Sequence, residues 1–293
     1  GTMVAPPIRL TASPSPITTE TVALSGVSFA DLQTYGDVLY FACRDPKNAG
    51  RACVKSIVED GTETAHTPLT ANVRSAVHEY GGGAFTVGPT GVIYTDFPSH
   101  TMYLVAGPND EPTVIYQDKR HRFADFSVTH TSPPMLLAIM EDHTDPKPSQ
   151  VKNSIVTMSL DGKGTLTTLA SGHDFYSSPQ LQGDKLAYVA WDHPNMPWDN
   201  TMLYVQYVDG NVKPLGDAIL VCDEKASVAE PRWTPNGSLI FLSDHKGWYN
   251  LYQYNQQDKS IINLCSKEAD FCSGGQGWIL GLSPFTVMPN GVI

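Results

Sequence analysis

One pattern recurs along the chain at an interval of about 50 residues. Short apolar runs, rich in β-branched and aromatic residues, each follow a turn that contains glycine, proline or asparagine. These runs begin at residues 39, 92, 136, 186 and 239, so the intervals between them are 53, 44, 50 and 53 residues. A second run of strand length follows each of them: Ala52 to Ile57, Met102 to Val105, Ser154 to Met158, Met202 to Val205, and Asn250 to Tyr254. A chain with this pattern is constrained to fold as a series of similar β units.

The pattern predicts an all-β fold, a β-propeller of four-stranded antiparallel blades. The turn pairs Asp60-Gly61, Asp161-Gly162 and Asp209-Gly210 close hairpins within the units. A single blade cannot bury its faces alone, so the blades stack around an axis. No stretch shows the periodicity of an amphipathic helix, and a β-sandwich gives no reason for this repeat. Trp233 and Trp248 are predicted to fill the wedge between blades, where large rings fit.

The units also define the domain organisation. Residues 1–25 are rich in proline, serine and threonine, which predicts an extended lead-in. Residues 26–293 are predicted to be the propeller, with five blades between about 26 and 265. A sixth unit begins at Phe271 and includes Trp278 and Phe285. We expect sequence outside this chain to complete the ring, because part of a blade cannot close it.

Composition limits the partners of the chain. The 30 acidic residues outnumber the 19 basic ones, the formal net charge is −11, and no run of Lys or Arg exceeds two. This balance argues against nucleic acid and anionic membranes as partners. The five cysteines show no metal-binding spacing, and no metal or other cofactor is predicted. Without an apolar span or a secretion signal, we expect a cytoplasmic protein with reduced thiols.

Glu79 and Tyr80 lie in the stretch Val77-His-Glu-Tyr-Gly-Gly-Gly-Ala-Phe85, directly before three glycines. A carboxylate at the mouth of a propeller can pair with the free α-amino group of a peptide. This chemistry would make the stretch a substrate-binding element. The alternative is a structural strand end, where glycines let two backbones approach closely.

Glu141 and His143 follow a strand run and precede two prolines. They form either a loop that faces a bound substrate or a solvated acidic loop. Arg120-His121-Arg122 offers a similar choice. Its guanidinium groups could hold a substrate carboxylate in a bidentate manner, or they could form salt bridges with neighbouring blades.

The stretch Trp191-Asp-His-Pro-Asn-Met-Pro-Trp-Asp199 is too long for a tight turn. Its two prolines stiffen it, so its rings can be presented at a low entropic cost. Trp191, Asp192, His193, Trp198 and Asp199 are therefore candidate substrate contacts. The alternative is a loop packed on itself, in which Asp192 and Asp199 accept hydrogen bonds from backbone N–H groups.

Three stretches resemble the β-propeller of prolyl oligopeptidase family serine peptidases, in the branch of dipeptidyl and acylaminoacyl peptidases. They are the two stretches given above, 77–85 and 191–199, and a third that joins Glu230-Pro-Arg-Trp-Thr-Pro-Asn-Gly237 to Ser243-Asp-His-Lys-Gly-Trp-Tyr-Asn-Leu-Tyr252. The heptapeptide that begins at His193 is the most specific part. In that family the propeller precedes an α/β-hydrolase domain with a Ser-Asp-His triad and a Gly-x-Ser-x-Gly elbow.

No Gly-x-Ser-x-Gly pattern occurs in this chain. The resemblance therefore implies that the chain is the gating and substrate-binding portion of a serine hydrolase that acts on short peptides or related amides and esters. The catalytic residues would lie outside this chain, in an α/β-hydrolase domain that is its expected partner. This chain alone would be inactive. A stand-alone propeller that binds or scaffolds other molecules, without catalysis, is the alternative.

Overall fold

The computed structural model describes residues 18–24, 26–222, 225–271 and 277–293. Twenty strands in this part of the chain form five sheets, each with four antiparallel strands in chain order. Blade 1 has β1 (Ser28–Tyr35), β2 (Val38–Arg44), β3 (Ala52–Ile57) and β4 (Glu63–Ala65), and blade 2 has β5 (Phe85–Gly88), β6 (Gly91–Thr95), β7 (Met102–Val105) and β8 (Thr113–Tyr116). Blade 3 has β9 (His121–Val128), β10 (Met135–Asp142), β11 (Lys152–Ser159) and β12 (Leu166–Ser171), blade 4 has β13 (Phe175–Gln182), β14 (Lys185–Trp191), β15 (Met202–Val208) and β16 (Pro214–Cys222), and blade 5 has β17 (Val228–Trp233), β18 (Leu239–Ser243), β19 (Asn250–Tyr254) and β20 (Ile261–Asn263).

The predicted all-β propeller of four-stranded antiparallel blades is confirmed, and the described residues hold five such blades. The five apolar runs are the second strands of the blades, and the runs that follow them are the third strands. In blades 2 to 4 neighbouring blades cover both faces of these middle strands, and in blade 5 the segment around Phe285 covers one of the two faces. Leu136 to Ile139 of β10 and Leu239 to Leu242 of β18 are buried along their whole length.

Apolar side chains between consecutive blades form the cores. One cluster joins blades 3 and 4 through residues such as Ile139, Ile155, Tyr176 and Tyr188. A second joins blades 4 and 5 and includes Trp191, where Trp233 packs against its edge. The indole Nε1–H of Trp233 donates to the Gln180 carbonyl at 2.9 Å, so the predicted packing of Trp233 between blades is found.

The first strand of each blade lies nearest the axis and contains, or follows, one residue in the left-handed conformation. These residues are Asp31, Gly83, Asp125, Ser178 and Glu230, with φ between 52° and 56°. In blades 1, 3, 4 and 5 a shift of strand register lies at this residue. Four of the five carry a side chain, and left-handed backbone is costly for such residues.

Hydrogen bonds at these left-handed residues link each blade to the next. Gly83 N–H donates to Asp31 Oδ1 at 3.2 Å, and Ser178 N–H donates to Asp125 Oδ2 at 2.8 Å. Phe126 N–H donates to the Gly83 carbonyl at 3.4 Å, and Ser178 hydrogen-bonds the Glu230 carboxylate. The bonds therefore run through all five blades around the axis.

The acidic residues of this series are buried. Burial raises the pKa of Asp125 to about 6 and the pKa of Glu230 to about 7. Burial also raises the pKa of Asp31, against the lowering effect of its backbone hydrogen bonds. Arg232 Nη2 lies 2.9 Å from Glu230 Oε2 and favours the ionised form of that carboxylate.

The C-terminal segment, residues 277–293, lies between blades 5 and 1. The Leu280 side chain is buried in the core between blades 3 and 4, and its N–H donates to the Gly81 carbonyl at 2.9 Å. Phe285 packs on the outer face of blade 5 against Ile240, Leu242 and Leu251. Of the sixth unit predicted from Phe271, the described residues show one parallel bridge, Leu280 to Gly82, and no strand.

Two features differ from the sequence-based predictions. Thr19–Leu24 is a short α-helix, α1, so the extended lead-in predicted for 1–25 is wrong there. The Thr18 hydroxyl accepts the Thr21 N–H at 3.0 Å and so caps the first turn, an effect that outweighs the scarcity of apolar periodicity. Trp248 is 43% exposed, so its predicted place in a blade core is also wrong. Residues 1–17 and 25 of the lead-in lie outside the described residues.

Blade 1 leaves one sheet face uncovered. Val27, Phe29, Leu32 and Leu39 expose apolar side chains there. A cleft of about 680 Å³ separates this face from the C-terminal segment. The lining of the cleft includes Arg44 and Arg74 as well as apolar residues. An exposed apolar face of this kind is typical of a surface that is covered by further protein.

We expect Gly82→Ala to release the C-terminal segment. A Cβ at Gly82 would lie 2.0 Å from the Leu280 carbonyl oxygen, and φ there is +101°. Chymotrypsin should then cleave near Trp278 and Phe285 at least about tenfold faster than in the unmodified chain, because local opening exposes these sites. Mass spectrometry of the fragments measures the rate.

Gly172→Ala is the matched control for that substitution. Its φ is +107°, but a Cβ would meet no atom within 4 Å. It should cost only the strain of a left-handed alanine, about 1 kcal/mol, and leave the cleavage of the segment unchanged. Equal cleavage of both variants would contradict the account of how the segment is held.

Candidate functional site

Strand direction alternates within each blade, so two kinds of connection emerge at the same edge of the ring. These are the connections between second and third strands and those that lead from one blade to the next. We call this edge the loop face, and the opposite edge, with the remaining hairpin turns, the hairpin face. The loop face includes residues 45–51, 66–84, 96–101, 117–120, 143–151, 172–174, 192–201 and 244–249. All nine predicted site residues lie in these connections or at the strand ends beside them.

The connection before blade 2 has an unusual backbone. His78 and Glu79 have φ of 53° and 66°, and the three glycines that follow also have positive φ. Left-handed backbone at consecutive residues with side chains persists only where neighbouring structure imposes it, and such places are often functional. Close packing explains the glycines: a Cβ on Gly81 would lie 2.2 Å from the Ser75 carbonyl oxygen.

Glu141 organises the contacts around this connection. Its side chain is buried, and Oε1 accepts the His78 backbone N–H at 2.7 Å. Its Oε2 lies 2.9 Å from His143 Nε2 and 3.9 Å from Arg122 Nη1. Arg122 Nη1 also donates to Glu79 Oε1 at 2.8 Å. Two carboxylates therefore share one guanidinium, which gives this part of the face an excess of negative charge.

These contacts distinguish the two carboxylates. Glu141 is enclosed and holds the backbone of the connection in place. The Glu79 side chain is largely exposed, so its carboxylate can reach a ligand while it contacts Arg122. Arg122 joins blades 2 and 3, as its salt-bridge interpretation predicts, and it also donates to the Ala76 carbonyl.

A reciprocal pair of contacts holds the loop after β14. His173 Nδ1 lies 2.8 Å from Asp192 Oδ2, and His193 Nδ1 lies 2.9 Å from Asp174 Oδ2. Asp192 Oδ1 also accepts the Asp174 N–H at 2.8 Å, and Asp174 Oδ2 accepts the His193 N–H at 2.9 Å. That backbone bond from His193 is the main cause that lowers the pKa of Asp174.

Asp199 Oδ2 accepts the Met196 N–H at 2.8 Å, so a carboxylate of the loop itself also holds this loop.

Aromatic contacts connect the predicted elements. Trp191 is buried and stacks on Phe175, with centroids 5.4 Å apart. The His78 ring packs edge-on against Trp191 at 5.7 Å, and burial lowers the pKa of His78, which favours its neutral form. The connection before blade 2 and the loop after β14 therefore belong to one contiguous site.

The structure places the nine candidates in two environments. Glu141 and Trp191 are buried, and His143 and Asp192 are half-buried with hydrogen-bonded partners. The other five candidates are more accessible on the loop face. Their role in binding stays a prediction.

Sequence reasoning missed several residues of this site: His78, His173, Asp174, Phe175 and Trp278. The order His-Asp at 173–174 mirrors Asp-His at 192–193. That reversal is a signal that could have suggested pairing, since the two dipeptides flank the β13–β14 hairpin.

Among the residues that the structure describes, no three His, Cys, Asp or Glu side chains are grouped so that they could hold a metal ion. The helical segments among them are all too short to cross a lipid bilayer.

We expect Glu141→Ala to lower the free energy of unfolding by about 2–3 kcal/mol, because the buried His78 N–H would lose its acceptor. Urea unfolding at pH 7 measures this change. Glu79→Ala is the matched control, since the contact of Glu79 with Arg122 is exposed and should contribute less than about 1 kcal/mol. Equal effects of the two substitutions would contradict the different roles given to these carboxylates.

No family model and no curated protein matches this chain. Solved structures do match it. A puromycin hydrolase structure superposes on 95% of this chain with a TM-score of 0.87 and 27% sequence identity, and the match covers 45% of that protein. A Mycobacterium tuberculosis puromycin-hydrolyzing peptidase matches 95% of this chain with a TM-score of 0.84 and 26% identity, and the match covers 44% of that protein. This chain thus spans less than half the length of either protein.

An oligogalacturonate lyase in complex with manganese also matches, with a TM-score of 0.58 and 16% identity over 81% of this chain and 64% of that protein. At that identity the match shows a shared propeller fold alone. The two puromycin hydrolases are more similar in both sequence and structure. The resemblance predicted from the sequence is therefore confirmed: this chain is a propeller homologous to that of the prolyl oligopeptidase family peptidases, which include puromycin hydrolase.

Proposed function

We propose that this chain is the substrate-binding and gating portion of a serine hydrolase that cleaves short peptides or related amides and esters. The observation that carries the proposal is the match along 95% of this chain to less than half of puromycin hydrolase. The Ser-Asp-His triad lies in an α/β-hydrolase domain outside this chain. That domain forms an acyl-enzyme at its serine, while the propeller admits and orients the substrate.

The loop face holds the amino terminus of the substrate. Glu79 presents an exposed carboxylate on a strained, well-anchored backbone, and Arg122 neutralises only part of the charge of Glu79 and Glu141. A protonated α-amino group is the complementary ligand, because charge-assisted hydrogen bonds to a carboxylate are strong. His143, which contacts Glu141, and the loop 192–199 complete the walls of this site.

The remaining part of the protein covers the open apolar face of blade 1. The cleft beside the C-terminal segment and the exposed side chains of β1 support this proposal. Further blade sequence completes the ring, and the hydrolase domain follows it. We place the protein in the cytoplasm, where Cys43 and Cys53 stay reduced. These two residues face each other across β2 and β3 and are free thiols.

A serine-directed fluorophosphonate tests the proposal. It should label the longer protein that includes this chain and a hydrolase domain, and it should leave this chain alone unlabelled. Labelling should be lost when the serine of the Gly-x-Ser-x-Gly elbow is replaced by alanine, together with hydrolysis of aminoacyl p-nitroanilides. The alternative, a binding or scaffold propeller without catalysis, predicts that neither protein is labelled and that neither hydrolyses the substrate. That result would overturn the proposal.

A further inference from the structure

Three acidic side chains converge on the axis of the ring. Asp31, Asp125 and Glu230 occupy the left-handed positions of blades 1, 3 and 5, and their carboxyl groups are largely withdrawn from water. We call these three groups the axial cluster. Among the described residues, the cation that acts on Asp125 and Glu230 is Arg232, whose Nη2 lies 2.9 Å from Glu230 Oε2. The fully ionised cluster would therefore place three negative charges beside one positive charge.

The same arginine holds the C-terminal segment. Arg232 Nη2 also donates to the Leu282 carbonyl at 3.2 Å and to the Ser283 hydroxyl at 3.4 Å. Gly281 packs so closely at the axis that a Cβ there would lie 3.4 Å from Asp31 Oδ1. This part of the segment therefore lies directly against the axial cluster.

The packing of the segment leaves little room for water at the cluster. A cavity of about 10 Å³ beside Glu230, lined also by Ser178, Gly277 and Leu280, has room for about one water molecule. An ionised carboxylate in such surroundings needs a partner of opposite charge or contact with water. Because one arginine cannot neutralise three carboxylates, ionisation favours a form in which the axis is open to water. The C-terminal segment can move to open it, since its described residues belong to none of the five sheets.

The segment also connects the axial cluster to the loop face. Trp278 contacts Tyr80, with ring centroids 4.7 Å apart, and the Leu280 N–H donates to the Gly81 carbonyl at 2.9 Å. We propose that the axial cluster is a pH-sensitive switch, which holds the C-terminal segment against the loop face while the cluster is protonated and releases the segment when the cluster ionises. Release frees the connection into blade 2 from this contact. The inference concerns regulation and does not depend on the proposed enzymatic function.

The direction of the pH effect follows from the buried carboxyl groups. Burial raises the pKa of Asp125 to about 6 and the pKa of Glu230 to about 7. A carboxyl group with a raised pKa stabilises the closed form at low pH, and this contribution is lost as the pH rises through the raised pKa. The hold on the segment should therefore weaken between about pH 4 and about pH 8.

Amide hydrogen exchange of this chain at about pH 5.5 and about pH 8.5 tests the switch, once the rates are corrected for the intrinsic pH dependence of exchange. The protection of residues 280–283 should fall at least about tenfold between the two pH values, because opening lets the carboxyl groups ionise in water. Residues 136–139 of β10 should stay more strongly protected than the segment at both pH values, because the blades remain folded.

Substitutions assign the effect to residues. Glu230→Gln and, independently, Asp125→Asn keep the size of the side chain but remove its ionisation. In each variant the protection of residues 280–283 should depend less on pH, and at the higher pH it should exceed the protection in the unmodified chain. Glu111→Gln is the matched control, because Glu111 is exposed in the turn between β7 and β8, and it should leave the pH dependence unchanged.

Three outcomes would overturn the switch. The first is equal protection of residues 280–283 at both pH values in the unmodified chain. The second is a pH dependence that persists unchanged in both Glu230→Gln and Asp125→Asn; if one of these variants fails to fold, the other decides. The third is a loss of protection in residues 136–139 to the level of the segment at the higher pH, because the whole chain would then unfold.

Discussion

In each blade one left-handed residue lies in the inner strand or just before it, and hydrogen bonds made there join adjacent blades. The five residues lie 52, 42, 53 and 52 positions apart, close to the repeat of the apolar runs. The left-handed residue occupies the same place in every blade. The connections that precede the inner strands therefore all begin their strands at a similar height along the axis. The position of the loop-face residues thus depends on these bonds. Three of the five residues are acidic, and burial raises the pKa of each.

The same regularity explains why the loop face can be a site. Glu141 lies near the end of β10 in blade 3, and its carboxylate accepts a hydrogen bond from the connection that leads into blade 2. The His78 ring on that connection packs against Trp191 of blade 4. Contacts that cross three blades fix the strained backbone at His78 and Glu79. Glycines 81 to 83 let the C-terminal segment approach the axis, which brings Trp278 beside Tyr80.

The middle strands could be predicted from sequence because burial on both faces demands continuous apolar runs. β3, β7 and β19 have the predicted bounds. The inner strands could not be predicted equally well, since they are polar and carry a register shift. The cap of α1 by Thr18 is a local signal that the proline content obscured. Residue type alone gave a wrong place for Trp248, because a tryptophan in a connection between strands need not pack in the core.

The site was predictable only in part, for a related reason. Glu79, Glu141 and the loop 191–199 could be identified by chemistry, because carboxylates and rings beside glycine or proline are unusual in plain turns. Their contacts depend on residues that lie far away along the chain: His173 with Asp192, Arg122 with Glu79, and Trp278 with Tyr80. Apart from the reversed dipeptides at 173–174 and 192–193, the sequence alone gives no sign of such pairs, because strand pairing and blade packing bring them together.

The central claim is that ligands bind on the loop face of this propeller. Amide hydrogen exchange of the chain, with and without saturating Phe-Ala-Ala, tests it most directly. Binding there should slow exchange in residues 77–83 and 192–201 and leave the hairpin-face turns at 36–37, 183–184 and 234–238 unchanged. Slower exchange confined to those turns, or no change in either set, would contradict the claim.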